Sequence, residues 1–204
     1  MRKPLYHSAF SRVELLTITT IAGLSVVWLF WGLQKRQTLQ KESRRAACVM
    51  HVKELAQSFL VFAQSHERLP RSAGLSRMAT NDWIYWQTNR IFLESPLAPY
   101  HSDFSARTLR CPQDSNATLR TYSFSYTMNE HLSQKRLFRE GPCGIILVAE
   151  EQHPNDGSWA PGNPYDSLTS RHDGLANIAF GDGHVEQVPP RPPLPFHVFM
   201  PRSP

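Results

Sequence analysis

The chain has 204 residues, room for one domain of ordinary size plus an appendage, and its 41% apolar and 19% charged residues make a globular composition. Net charge is +5, but the Lys and Arg residues are scattered, with no long basic run and no alternation of aromatic and basic residues to follow a phosphate backbone. These features argue against nucleic acid as a partner.

Proline divides the chain into two physical halves. None of the sixteen prolines lies between Leu5 and Leu69, a span that holds only two glycines, Gly23 and Gly32; fifteen prolines and eight glycines fall from Pro70 onward. A long helix, followed by short apolar runs separated by turns, is the economical reading. Residues 13–33 (VELLTITTIAGLSVVWLFWGL) carry one charge, Glu14, over a length that crosses a hydrocarbon core, so this segment is expected to span a membrane. A cleaved secretory signal fits less well: its apolar region would be only about 7 to 15 residues long, and WGLQKRQ offers no A-x-A-like site.

Past Lys35 the chain turns polar, yet Val52, Leu55, Ala56, Phe59, Leu60 and Ala63 recur at spacings of three and four. The helix therefore continues with one apolar stripe, Phe62 beside it and Lys53, Glu54, Gln57 and Ser58 mostly opposite. It is expected to end between His66 and Leu69, because Pro70 disfavours helical geometry in the residue before it.

The start of the helix carries the sharpest signal. MRKPLYHSAFSRVELL places a short basic leader ahead of Ala9 and Phe10, with Glu14 four residues further on. A carboxylate at the edge of an apolar span costs up to about 2.5 to 3.5 kcal/mol if it sits deep, and is usually retained for a partner. A cut between Ala9 and Phe10 would free an α-amino group one helical turn from Glu14, in the same chain or in a neighbour. Two unit charges about 4 Å apart outside bulk water attract by several kcal/mol, enough to offset the burial. The plainer reading is an ordinary anchor with Glu14 at the membrane interface.

AFSRVELLTITTIAGL resembles the processing and methylation signature of type IV pilins and type II secretion pseudopilins, roughly G-F-T-L-V-E-L ahead of an apolar helix. Ala9 stands where the family has Gly, and Arg12 where it has an apolar residue. RRAACVMHVKELAQSFLVFAQSHERLP resembles the helix end of a large pseudopilin-like group whose members carry a Cys-Pro after the helix, as in LRCPQD, and a Tyr-rich strand like TYSFSYTMN. That group's C-terminal signature, a histidine, nine residues, then Asp-Gly, is matched by His172, Asp182 and Gly183, with Asn177 between them. The whole resembles a prepilin-type protein with an H-x9-DG domain.

The resemblance implies an α+β, pilin-like fold: leader 1–9, transmembrane helical segment 10–33, extramembrane amphipathic helix 34–69, antiparallel sheet domain 70–188 with the H-x9-DG hairpin, and Pro-rich tail 189–204. It implies cleavage between Ala9 and Phe10 by a prepilin peptidase, N-methylation of Phe10, and a role for Glu14 in assembly. Homologous pilin or pseudopilin subunits, the peptidase and an inner-membrane assembly platform become the expected partners. The expected location is the inner membrane, single-pass, with the C-terminal domain outside the cytoplasm. The role is structural, in a type II secretion-like pseudopilus or a pilus fibre, and neither enzymatic activity nor a cofactor is expected.

Residues 171–188 (RHDGLANIAFGDGHVEQV) read as strand, tight turn, strand. With Asp182 and Gly183 as the two turn residues, Phe180 would pair with Val185 and Ile178 with Gln187, and that face would dock on the helix stripe. Six residues of strand cover about 20 Å, so His172 and Asp182 fall near opposite ends and do not readily share a metal. Asp182 is expected to accept from turn amides, Gly183 to take positive φ, and His172 to meet a backbone or carboxylate group. GIILVAEE (residues 144–151) reads as a central strand. Three cysteines, Cys48, Cys111 and Cys143, leave three pairings open, and the resemblance, which covers Cys48 and Cys111, favours that pair. NDWIYWQTN reads as packing, and the tail as extended chain. No nucleophile elbow, phosphate loop or HExxH is present. The alternative is a membrane-anchored extracytoplasmic binding or metal-dependent hydrolytic domain that does not polymerise, its ligands drawn from His172, Asp182, His184 and Glu150.

Overall fold

The computed structural model describes residues 11–75, 78–87, 89–114, 123–136 and 144–190. The leader with Ala9 and Phe10, Cys143 and the tail from 191 onward lie outside the described residues. Helix α1, Arg12–His66, runs for 55 residues. Ser11 is its N-cap: its Oγ accepts from the Glu14 N–H at 3.3 Å, while Glu14 Oε2 reaches back to the Ser11 N–H at 2.8 Å. The Ser11 carbonyl accepts from Leu15 N, and the two side chains together make a reciprocal capping box. At the other end Glu67 takes φ 59°, the left-handed turn that closes many helices.

The chain divides into two units at Glu42 and Ser43. In the first, α1 contains an eighteen-residue window of mean hydropathy 1.9, none of it buried, long and apolar enough to cross a membrane. Its hydroxyls cost little there, because Thr17, Thr19, Thr20 and Ser25 each donate to a carbonyl three or four residues back. Near the end of the apolar run Trp28 and Trp31 meet edge to face at 6.2 Å, and Lys35 Nζ sits 5.4 Å from the Trp31 ring. Amphipathic aromatics beside a basic residue suit a hydrocarbon-water boundary.

In the second unit the rest of α1 buries Cys48, Val52, Leu55, Ala56, Phe59, Phe62 and Ala63. Ser58, expected on the opposite side, is buried too, and its hydroxyl donates to the Glu54 carbonyl at 2.9 Å. Trp83 packs against Phe59 at 5.3 Å and donates to the Gly157 carbonyl, so the aromatic-rich segment serves the core. The sheet has five strands among the described residues: β1 (Tyr126–Asn129), β2 (Ile146–Glu150), β3 (Ser158–Trp159), β4 (Ala176–Phe180) and β5 (Val185–Val188). Their order is β3-β1-β2-β4-β5, with β2 at the centre.

Two expectations are corrected here. The sheet is mixed, not antiparallel, because β3 runs parallel to β1, with Met128 opposite Ser158. Residues 151–157 carry the chain from the end of β2 to the outer side of β1, and the reversal leaves β3 pointing the same way as β1. The hairpin register also differs: Ala179 faces Val185 and Ile178 faces Glu186. Phe180 N donates to the His184 carbonyl and Gly183 N donates to the Phe180 carbonyl, so Gly181, Asp182 and Gly183 form a three-residue loop. Such a loop needs a left-handed residue at its third position, and Gly183 has φ +87°.

A slip of one residue exchanges the faces of a strand. Here the slip puts Val185 on the face of Ala179, and the docking face is corrected too: Ala179 and Val185 join the core beneath α1, while Phe180 and Ile178 pack on the opposite face with Ile146, Trp159 and Leu168. A Cβ on Gly183 would lie 3.3 Å from Leu60 Cδ1 on α1, in addition to the positive φ. Gly183→Ala is therefore expected to destabilise the fold by about 1 to 3 kcal/mol, measured as a lower denaturant midpoint at unchanged slope.

Candidate functional site

His172 is aimed inward by a tight turn. Asp173 at φ 56° and Gly174 at φ 89° allow His172 and Leu175 to exchange both backbone hydrogen bonds at 3.2 Å. The imidazole is buried and its Nε2 lies 2.7 Å from Oε2 of Glu150, the last residue of β2. The same oxygen accepts from Asn177 Nδ2 at 2.8 Å and from Asn177 N at 3.3 Å, and Oε1 faces Arg171 Nη1 at 3.3 Å. Arg171 also approaches Asp114 at 3.5 Å and donates to the Glu151 and Gln152 carbonyls. A fully buried carboxylate is tolerable only when it is both paired and hydrogen-bonded, and Glu150 is both.

Because Glu150 acts as acceptor, Nε2 carries the ring proton in this contact. Nδ1 is then buried with no hydrogen-bond partner among the described residues. Nε2 also lies 3.6 Å from Cys111 Sγ. Cys111 is joined by a disulfide to Cys48 on α1, their Cα atoms 5.1 Å apart. Glutamate and sulfur thus converge on one ring nitrogen. A nucleophile-histidine-carboxylate relay places them on opposite nitrogens, so this trio does not have the geometry of one.

A second chain of contacts runs from the helix to the same carboxylate. Arg45 on α1 donates to Gln187 Oε1 at 2.5 Å, Gln187 donates to Asn177 Oδ1 at 2.9 Å, and Asn177 donates to Glu150. Arg45 also pairs with Asp173 at 3.2 Å. Tyr126 sits opposite Glu150 in the β1–β2 ladder, and burial, reinforced by the Glu150 charge, pushes its phenol well above the usual range.

At the far end of β4 the loop Asp182 accepts from His184 N at 3.0 Å and meets His184 Nδ1 at 2.5 Å, while His184 Nε2 faces Glu186 at 3.3 Å. Partial burial raises the Asp182 carboxyl, but the His184 amide and imidazole outweigh it and hold the group below its ordinary range. The H-x9-DG spacing acquires a physical meaning from these two ends. His172 packs against the disulfide anchored at Cys48, and Gly183 lies against Leu60. Those two helix positions are twelve residues, about 18 Å, apart along α1. Ten residues lie between His172 and Gly183, five of them extended in β4, so one strand brings its two ends near the helix at both places.

The four side chains named as alternative ligands fall into two separate places. His172 meets Glu150, whereas Asp182 meets His184. Arg171, Asp114 and Ser125, which complete the buried network, and the half-buried Arg45 beside it carry no signal in the sequence beyond the adjacency of Arg171 to His172. Ser125 donates to Asp114 at 2.9 Å and also receives Cys111 N at 3.2 Å, tying the cysteine loop to the same cluster.

Fold and site together define an α+β protein whose long N-terminal helix has a first part apolar enough for a single-pass membrane anchor and a second part stapled to a mixed five-stranded sheet. No family model, curated protein or solved structure matches the chain.

Proposed function

We propose that this chain is a pilin-like structural subunit, cut between Ala9 and Phe10 by a prepilin peptidase, N-methylated on Phe10, and assembled with homologous subunits into a pseudopilus or pilus fibre. The observation that carries this reading is the double use of α1. Its first part is unburied and apolar, with the lone carboxylate of Glu14 at its head, and it continues without a break into a part whose stripe is buried in its own sheet domain. A plain anchor could use the acid as a helix cap, and Gln would serve that purpose as well, so the charge is what the reading explains. The capping geometry directs Glu14 Oε2 toward the amide of the N-cap Ser11, next in sequence to Phe10. An α-amino group freed at Phe10, in the same chain or a neighbour, is the cation such a carboxylate suits. The Cys48–Cys111 disulfide agrees with a C-terminal domain outside the cytoplasm, anchored in the inner membrane by residues 10–33 and reached by an assembly platform there. In this reading the buried network around Glu150 holds the domain on its helix and performs no catalysis.

Paired substitutions separate assembly from capping. Gln at position 14 keeps the reciprocal hydrogen bonds of a capping box but removes the charge, whereas Ala removes the charge and the side-chain acceptor and keeps only its own N–H to Ser11 Oγ. Both Glu14→Gln and Glu14→Ala are expected to reduce fibre incorporation at least about tenfold, the factor that corresponds to 1.4 kcal/mol, at normal membrane levels of the protein. Wild-type incorporation of Glu14→Gln beside a defective Glu14→Ala would reduce Glu14 to a helix cap and remove the basis for the reading.

A further inference from the structure

We propose that the reduced form of the Cys48–Cys111 pair, together with His172, is a binding site for a divalent ion of borderline softness, Zn²⁺. The two sulfurs and one imidazole nitrogen lie within 4.8 Å of one another, and all three residues are buried. Two thiolates and an imidazole are a ligand set that Zn²⁺ accepts readily. Helix α1, the loop carrying Cys111 and the turn before β4 supply one ligand each, so the site exists only in the folded domain and its metal would hold together the same elements that the disulfide holds.

Two features of the surroundings set the terms on which a metal binds there. The first is charge. Reduction of the disulfide by a dithiol yields two protein thiols and the oxidised reductant; Zn²⁺ then replaces the two thiol protons, which leave to solvent, so the net charge of the buried cluster does not change. Arg171 and Glu150, paired at 3.3 Å in the disulfide form, supply no ligand and are not required to separate. The second is the imidazole. Its Nε2, 3.6 Å from Cys111 Sγ, becomes a ligand only when the ring proton moves to Nδ1, a shift that gives up the bond to Glu150 and leaves Nδ1–H with no partner among the described residues, so the metal–nitrogen and metal–sulfur bonds have to exceed that cost. Glu150 Oε2, 2.7 Å from Nε2, is the nearest charged oxygen to this nitrogen and keeps its Asn177 donors when that proton moves. The disulfide and the metal are thus two mutually exclusive ways of fixing the helix to the sheet, selected by the redox state of the surroundings.

The test uses the full chain in detergent micelles, reduced with a dithiol, freed of it under anaerobic conditions, and titrated with Co²⁺ as a spectroscopic substitute for Zn²⁺. One Co²⁺ per chain is expected, with a thiolate-to-cobalt charge-transfer band that Zn²⁺ abolishes, and the oxidised protein is expected to show no such band. His172→Gln, oxidised normally beforehand, is expected to bind at least about 100-fold more weakly, since even loss of an outer partner costs about 10- to 100-fold. Cys111→Ser is expected to lose the stoichiometric band while keeping His172 and Cys48. A reduced wild-type chain without the band, equal Co²⁺ affinity in His172→Gln, or unfolding on reduction that Zn²⁺ does not reverse would each overturn the proposal.

Discussion

Glu150→Gln is expected to lower the unfolding free energy of the sheet domain by about 3 to 5 kcal/mol, the usual cost of breaking a buried ion pair from one side. The amide keeps the size of the side chain but reverses half of its hydrogen bonding. One terminal atom becomes a donor, facing the Asn177 and His172 donors that now share Oε2, or else the Arg171 guanidinium. Arg171 is left with Asp114 at 3.5 Å as its remaining carboxylate, in a position where its side chain is only 9% exposed. Chemical denaturation of the full chain in detergent, followed by tryptophan emission, reads the change directly. Glu186→Gln, on the exposed side of β5, serves as the control and is expected to shift stability by less than about 0.5 kcal/mol. Equal stabilities for the two variants would show that Glu150 is not the hub that its contacts describe.

Removing the disulfide is expected to have an effect of similar size. Cys48 and Cys111 are 63 residues apart in sequence, and closing a loop of that length restricts the unfolded chain by about 4 kcal/mol in the entropic account. Cys48→Ser with Cys111→Ser, measured in metal-free buffer, should therefore lose most of that amount. The loss should fall on the attachment of α1 to the sheet, seen as faster hydrogen exchange over the buried stripe from Val52 to Ala63, because the sulfur bridge is the covalent tie between the two. Unchanged exchange in that stripe would mean that packing alone secures the helix. Since Cys111 also touches His172, the Glu150 and cysteine variants share a cluster, and their combined cost should depart from simple addition.

The parts of this architecture that were legible in the sequence are those written in local pattern. The proline-free span and the spacings from Val52 to Ala63 define α1 almost to its last residue, because helix periodicity is a property of neighbouring positions. The apolar run at 144–151 likewise announces a strand covered on both faces, and β2 is central. The hairpin was less decidable. Gly181-Asp182-Gly183 supports either a two- or a three-residue loop, and the choice, which goes with the positive φ of Gly183, determines which β5 residues share the face of Ala179. The parallel edge is two residues long, too short to leave a pattern. Glu150 marks where local reading stops: it ends β2 as an acid after an apolar run suggests, but its burial depends on Arg171 and Asn177, 21 and 27 positions away. Ser11-x-x-Glu14, by contrast, is a capping box in plain view, overshadowed by the more specific resemblance at the same residues.

The most direct test of the proposed role is the mass of the N-terminal peptide of this protein, purified from membranes of cells that contain a prepilin peptidase. A peptide beginning at Phe10 with one added methyl group on its α-amine is the expected result, since processing creates the amine that Glu14 is proposed to pair with. A peptide beginning at Met1, unmethylated, would contradict it.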